Sequence, residues 1–135
     1  MVGFSVHSDY YQIGSADFLH SFFSTVAYRL EGGNWGSRYP YIMEQLYQGE
    51  LPAEYVSHAA SELKDIQKEL RKLSPDKVVW DIDDLSKQPP WGENISDDIH
   101  DLSDYFVTSD GEDFITIFQS ALQNALESNQ PLKIE

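Results

Sequence analysis

The chain contains no cysteine. A disulfide framework, a thiol nucleophile and a cysteine-ligated metal centre are therefore excluded, and a reducing compartment is favoured. Long apolar runs are also missing, since no window approaches the roughly 18 consecutive apolar residues of a membrane span. The N-terminal residues lack the basic region and apolar run of a secretory signal, so we expect a cytoplasmic protein that does not associate with membranes.

Motifs that carry catalysis or cofactor binding are absent as well. The sequence has no GxSxG, GxxxxGK[ST] or GxGxxG pattern, which argues against a hydrolase elbow and against loops that cradle phosphate. The four histidines form neither HxH nor HxxxH, and the acidic residues do not follow the order of an EF-hand loop. We therefore predict no metal site, no cofactor and no catalytic residue.

Positive charge is scarce, because nine Lys and Arg stand against 23 Asp and Glu, for a formal net charge of −14. Nucleic acid and anionic lipid would be repelled, so we predict neither as a partner and favour a basic protein. Solubility alone is the alternative explanation of the charge. The negative charge is concentrated in residues 81–113, which hold eleven Asp and Glu and a single cation, Lys87.

The length of 135 residues suits one domain, which we place over residues 1–135, and the 41% hydrophobic content is sufficient for a core. Apolar periodicity predicts four strands, over residues 2–7, 77–80, 105–108 and 132–134, and four helices, over residues 15–32, 39–48, 52–73 and 114–126. A single further helical turn is predicted near residues 96–102. This order predicts an α+β fold, in which a small sheet of about four short strands is covered by about four helices.

Local signals predict where the helices begin and end. Ser15 is the expected N-cap of the first helix, which should stop at the pair of glycines that starts with Gly32. Pro52 should open the third helix. Ser109 and Glu112 have the spacing of a capping box and should start the last helix.

The loop of residues 81–104, here called the acidic loop, is the candidate functional segment, because long loops in compact chains are usually functional. Trp91 is a candidate anchor, since aromatic residues dominate interface hot spots, although it could equally cover the core. The predicted partner-binding residues are the carboxylates of this loop and its tryptophan: Asp81, Asp83, Asp84, Trp91, Glu93, Asp97, Asp98, Asp101 and Asp104.

The same carboxylates allow two other interpretations. They could bind a hard cation or act as general acid and base, which would make the protein a small metal-dependent or hydrolytic enzyme that uses residues between Asp81 and Asp104. They could also form a solvated face without a function of its own.

Four stretches of the chain form a recognisable set: residues 11–25, 35–40, 74–81 and 84–92. The run Lys-Gln-Pro-Pro-Trp-Gly, which starts at Lys87, is the most specific part. Together these stretches resemble the bacterial immunity protein 70 family. The resemblance implies a non-enzymatic protein, encoded beside a polymorphic toxin, that binds the C-terminal domain of the toxin in the cytoplasm and neutralises it. It supplies no binding motif at the level of residues.

Many toxins of such systems act on nucleic acids and have basic active sites. An acidic surface with exposed aromatic residues could occupy such a site, and opposite charge would accelerate capture. We therefore expect the partner to be a basic toxin domain such as a nuclease, bound by a monomer or weak homodimer of this chain. Binding away from the toxin's active site is the second hypothesis for neutralisation.

Overall fold

The computed structural model describes residues 1–92 and 94–135 and begins with a β-hairpin. Strands β1 (Val2–Val6) and β2 (Asp9–Gly14) pair antiparallel. The chain reverses at His7, whose φ of 54° lies in the left-handed region. The strand predicted over residues 2–7 is therefore confirmed.

Two short strands complete the sheet in the described part of the chain. β3 (Glu50–Leu51) and β4 (Leu132–Ile134) give the strand order β2-β1-β4-β3, with every pair antiparallel. β4 confirms the closing strand predicted over residues 132–134. The sequence pattern does not predict β2 or β3, because burial in β2 increases along the strand without alternating and β3 has only two residues.

Helices pack against this sheet and confirm the predicted α+β class. The described residues form three α-helices: α1 (Ala16–Thr25), α2 (Val56–Leu70) and α3 (Phe114–Ser128). α1 continues as a π-helical turn, Val26–Leu30, and the helix predicted over residues 39–48 is a π-helical turn that ends in a 3-10 turn. Among the described residues, no helix combines the length and apolarity needed to cross a bilayer.

The first helix begins and ends where its local signals predict. The Ser15 Oγ accepts a hydrogen bond from the Phe18 N–H at 3.1 Å, which confirms the N-cap. The chain leaves the helix at Gly32 and Gly33, whose φ angles are 61° and 84°. The third helix starts later than predicted, because Pro52 has an extended ψ of 149° and precedes a 3-10 turn.

The predicted capping box at the start of α3 is wrong. The N-cap is Asp113, whose carboxylate accepts the Thr116 N–H at 3.1 Å. The Ser109 N–H donates instead to the Ile13 carbonyl at the end of β2, at 2.9 Å. The helix itself begins at Phe114, where the predicted range 114–126 begins, so the helix is confirmed and only its capping residues differ.

The strands predicted over residues 77–80 and 105–108 are also absent from the described structure. In the second segment, only Val107 forms an isolated bridge, opposite Asp113. In the first, the backbone of Val79 bonds to a helix side chain. The Val79 N–H donates to the Thr25 Oγ1 at 3.0 Å, and the Thr25 hydroxyl proton is shared between the carbonyls of Ser21 and Val79, at 2.8 and 3.1 Å.

The helical turn predicted near residues 96–102 is present only as isolated turns. One of them is closed by the Ile99 N–H, which donates to the Ser96 carbonyl at 3.0 Å. Leu102 is fully buried, and its N–H donates to the Leu73 carbonyl just after α2, at 3.0 Å. The far end of the acidic loop is therefore fixed to the body of the protein.

An aromatic cluster forms the centre of the core. Phe22 of α1 meets Phe114 of α3 edge to face, with ring centroids 4.8 Å apart. Phe4 of β1 lies 4.7 Å from Phe118, and Phe106 contributes a further ring 5.3 Å from Phe22. All five side chains are completely buried, so the sheet, both helices and the chain that leaves the acidic loop share one core.

The glycine-rich turn after α1 is held by one buried carboxylate. Glu31 accepts hydrogen bonds from the N–H groups of Gly36, Arg38 and Tyr39 at 2.9–3.0 Å. Trp35 lies over the core, because its ring stacks on Phe23 with ring centroids 6.2 Å apart. The glycine-rich turn is therefore explained by the contacts that hold it, namely those of Glu31 and Trp35.

We predict that Thr25→Val destabilises the protein by about 1–3 kcal/mol, because the buried Val79 N–H loses its acceptor. Urea denaturation measures this loss. Thr25→Ser is the matched control, since it keeps the hydroxyl and removes only a methyl group. Equal losses in the two variants would contradict the role assigned to the hydroxyl.

Candidate partner-binding surface

The structure places five of the eight predicted acidic residues in two separate groups. Asp81 and Asp83 lie beside α1, whereas Asp98, Asp101 and Asp104 line a hollow next to the end of α2. No hydrogen bond or ion pair of the described residues joins the two groups. Glu93 lies outside the residues that the structure describes.

α1 positions the first group. The Ser24 Oγ accepts the Ile82 N–H at 3.1 Å, which holds the start of the acidic loop against the helix. Asp81 consequently meets His20, with 3.3 Å between Oδ1 and Nε2. The Tyr47 hydroxyl lies 3.3 Å from the other ring nitrogen, Nδ1. A proton on Nε2 lets the ring donate to Asp81 and accept from Tyr47.

His20 is a partly buried, hydrogen-bonded histidine at the edge of the core. Its part in the surface was not predicted, because His20 and Asp81 are 61 residues apart in sequence. Lys87 completes the network, with its Nζ 3.4 Å from the Asp81 Oδ2.

Local hydrogen bonds favour the ionised form of two carboxylates in this loop. The Asp83 backbone N–H lowers the pKa of Asp81, and Lys87 and His20 lower it further. The hydroxyl and N–H of Ser86 likewise lower the pKa of Asp84. This part of the loop therefore keeps its negative charge at neutral pH.

His20, Asp81 and Asp83, here called the His20 group, have the donor atoms of a cation site. One nitrogen of His20 and one carboxylate oxygen each of Asp81 and Asp83 lie within 4.8 Å of one another. Lys87 already supplies positive charge to Asp81. The group can thus be read as an ion-paired network or as a three-ligand cation site.

Four of the predicted acidic residues hold turns of the loop itself. Besides Asp81 and Asp84, the Asp101 Oδ1 accepts the Ser103 N–H at 2.8 Å, and Asp104 accepts the Asp101 N–H at 3.2 Å. The carboxylates that accept no hydrogen bond from any described residue are those of Asp83, Asp97 and Asp98, all of which are exposed. These three are free to contact a partner.

Trp91 is exposed over 39% of its surface but is fixed in place. Its Nε1 donates to the Tyr105 hydroxyl at 2.9 Å, and its ring meets Trp80 edge to face with centroids 5.5 Å apart. It forms one wall of a cavity of about 210 Å³, here called the Trp91 hollow. The apolar residues around this hollow are Phe18, Trp91, Ile95, Ile99, Tyr105 and Val107.

A second cavity, of about 710 Å³, adjoins the first. We call it the acidic hollow, because four carboxylates line it together with Gln67 and Arg71 of the α2 end: Asp98, Asp101, Asp104 and Asp113. The two hollows share Ser96, Ile99 and Val107 as lining residues. Val107 was not predicted as a site residue, since the sequence assigns it to a strand.

Comparison with known proteins gives one match. The family model described as Immunity protein 70 matches residues 4–134. No curated protein and no solved structure matches the chain. The matched range contains the whole acidic loop and both hollows.

We predict that Lys87→Met raises the pKa of the Asp81 carboxyl but leaves it below its ordinary value of 3.8. The substitution removes a nearby cation, whereas the stronger influence, the Asp83 N–H, remains. A carboxyl-detected NMR titration measures the pKa. An unchanged value would show that Lys87 does not interact with Asp81 in solution.

The lowered pKa of Asp81 also fixes how the stability of the fold depends on pH. Because the pKa of Asp81 is lower in the folded protein, its ionisation stabilises the fold above pH 3.8, and this contribution is lost as the pH falls through the folded-state pKa. Asp81→Asn should therefore lose less stability than the wild type over that acidic range.

Proposed function

Because the chain belongs to the Immunity protein 70 family, we propose that it binds a cognate toxin domain and neutralises it. The observation that carries this proposal is the family match over residues 4–134. The toxin is the C-terminal domain of a polymorphic toxin delivered by contact or secretion, and the two proteins meet in the cytoplasm. The protein acts by binding and not as an enzyme.

We assign the contact to the acidic loop. The residues involved are Asp81, Asp83, Asp84, Trp91, Glu93, Asp97, Asp98, Asp101 and Asp104. A net charge of −14 favours a basic partner, such as a nuclease, and steers its diffusion toward the loop. The exposed carboxylates of Asp83, Asp97 and Asp98 support this assignment, since they have no other described partner.

Two modes of neutralisation fit an acidic surface. The loop can occupy the basic active site of the toxin and exclude its substrate, or it can bind elsewhere and block entry or cofactor binding. Competition between this protein and the toxin's substrate distinguishes the two modes, because only the first makes binding mutually exclusive.

We predict that this protein rescues cells from the toxin encoded beside its gene. Co-expression with the toxin domain encoded beside this gene should restore survival and yield a complex that co-purifies.

Asp97→Lys/Asp98→Lys should slow association with the toxin domain about tenfold or more at low salt and weaken the salt dependence of the rate, because these exposed carboxylates contribute to steering. Stopped-flow mixing over a range of salt concentrations measures the rate.

Glu54→Lys/Glu127→Lys is the matched control, since it makes the same charge change at exposed positions outside the acidic loop. If both double variants slow association equally, net charge and not the loop determines capture. If an active toxin is neither neutralised nor bound by the wild type, the proposed function fails for that pair.

The second candidate function is a small metal-dependent or hydrolytic enzyme, favoured by the group of His20, Asp81 and Asp83. Because we predict no metal site, we expect calcium, magnesium and manganese to leave the melting temperature of the protein unchanged. A ligand present at 100 times its Kd stabilises the native state by about 2.7 kcal/mol. A rise in melting temperature that corresponds to a stabilisation of this size, and that is lost in His20→Ala, would support the metal-dependent alternative.

A further inference from the structure

We propose that the Trp91 hollow and the acidic hollow form one two-part socket for a single segment of the toxin. An apolar side chain of the segment enters the Trp91 hollow, and a neighbouring Lys or Arg enters the acidic hollow. The proposal rests on the proposed function, which it makes specific: this chain supplies the socket and the toxin supplies the protruding side chains.

The surroundings of Trp91 support the role of a wall. Its indole N–H is committed to Tyr105, and its ring is braced by Trp80, so the side chain cannot leave without breaking both contacts. The resulting cavity, about 210 Å³, is below the roughly 300–1,000 Å³ of small-molecule sites and suits one side chain. A partner that covers this open hollow would desolvate it, and hot-spot residues bind in such desolvated pockets.

The acidic hollow favours a cation. Asp98 contributes an exposed carboxylate that accepts no hydrogen bond from the described residues. Among the described residues that line this hollow, Arg71 is the one cation and stands against four carboxylates. A Lys or Arg of the partner would therefore meet an excess of negative charge.

The two hollows are continuous, and this limits the distance between the two partner side chains that fill them. Ile99 and Val107 line both cavities, so the apolar and cationic side chains that fill them must be near neighbours. A second copy of this chain is a poor occupant, because two molecules with a net charge of −14 repel each other. A metal ion alone would fill the acidic hollow but leave the apolar one open.

The test uses a photo-crosslinking amino acid, p-benzoylphenylalanine, placed at Val107 of the full-length protein in complex with the neighbouring toxin domain. Leu126 of α3 is the matched control, since the two side chains are similarly exposed, at 42% and 46%. We expect a crosslink from position 107 to an apolar toxin residue within a few positions of a Lys or Arg. We expect none from position 126.

Affinity supplies a second readout. Val107→Lys should raise the Kd about tenfold or more, equivalent to about 1.4 kcal/mol, whereas Leu126→Lys should not. A complex that forms without a crosslink at 107, or with one to a toxin segment lacking Lys and Arg, would overturn the socket and leave immunity intact. A crosslink between two copies of this chain would assign the hollow to self-association. Failure of the wild type to bind an active toxin would remove both proposals.

Discussion

The reciprocal hydrogen bonding between Thr25 and Val79 is the constraint on which the placement of the acidic loop depends. The buried side of α1 carries three hydroxyls, those of Ser21, Ser24 and Thr25. Those of Ser24 and Thr25 bond to the backbone that leads into the loop. Buried polar groups require such partners, so the helix and the segment hold each other in place. The loop consequently starts at a defined point beside His20.

The other end of the acidic loop is fixed by the core. Leu102 is buried and bonds to the chain just after α2, and Phe106 belongs to the aromatic cluster. Between these two attachments, carboxylates close successive turns. An irregular segment with few strand or helix bonds is thereby ordered before it meets a partner, which reduces the conformational entropy lost on binding.

The carboxylates of the loop serve two purposes that the sequence does not distinguish. Asp101 and Asp104 maintain turns, while Asp97 and Asp98 are exposed and accept no hydrogen bond within the described part of the chain. All of them contribute to the negative field around the loop, so the carboxylates that hold turns would also attract the basic partner that we propose. Specific contact, as we propose it, depends on the exposed carboxylates and on the apolar hollow that Trp91 walls.

The sequence by itself determined the fold class, the three main helices, the N-cap at Ser15 and the strands at both ends of the chain, because these depend on local periodicity and capping. It also identified the family and the acidic loop. Tertiary structure decided what depends on distant partners. Val79 resembles a strand residue, yet it bonds to a helix hydroxyl 54 residues away. Asp113 and not Ser109 caps α3, and the Ser109 N–H bonds to the distant Ile13 carbonyl. The joined hollows likewise exist only because the loop folds against α1 and α2, and no local pattern encodes that contact.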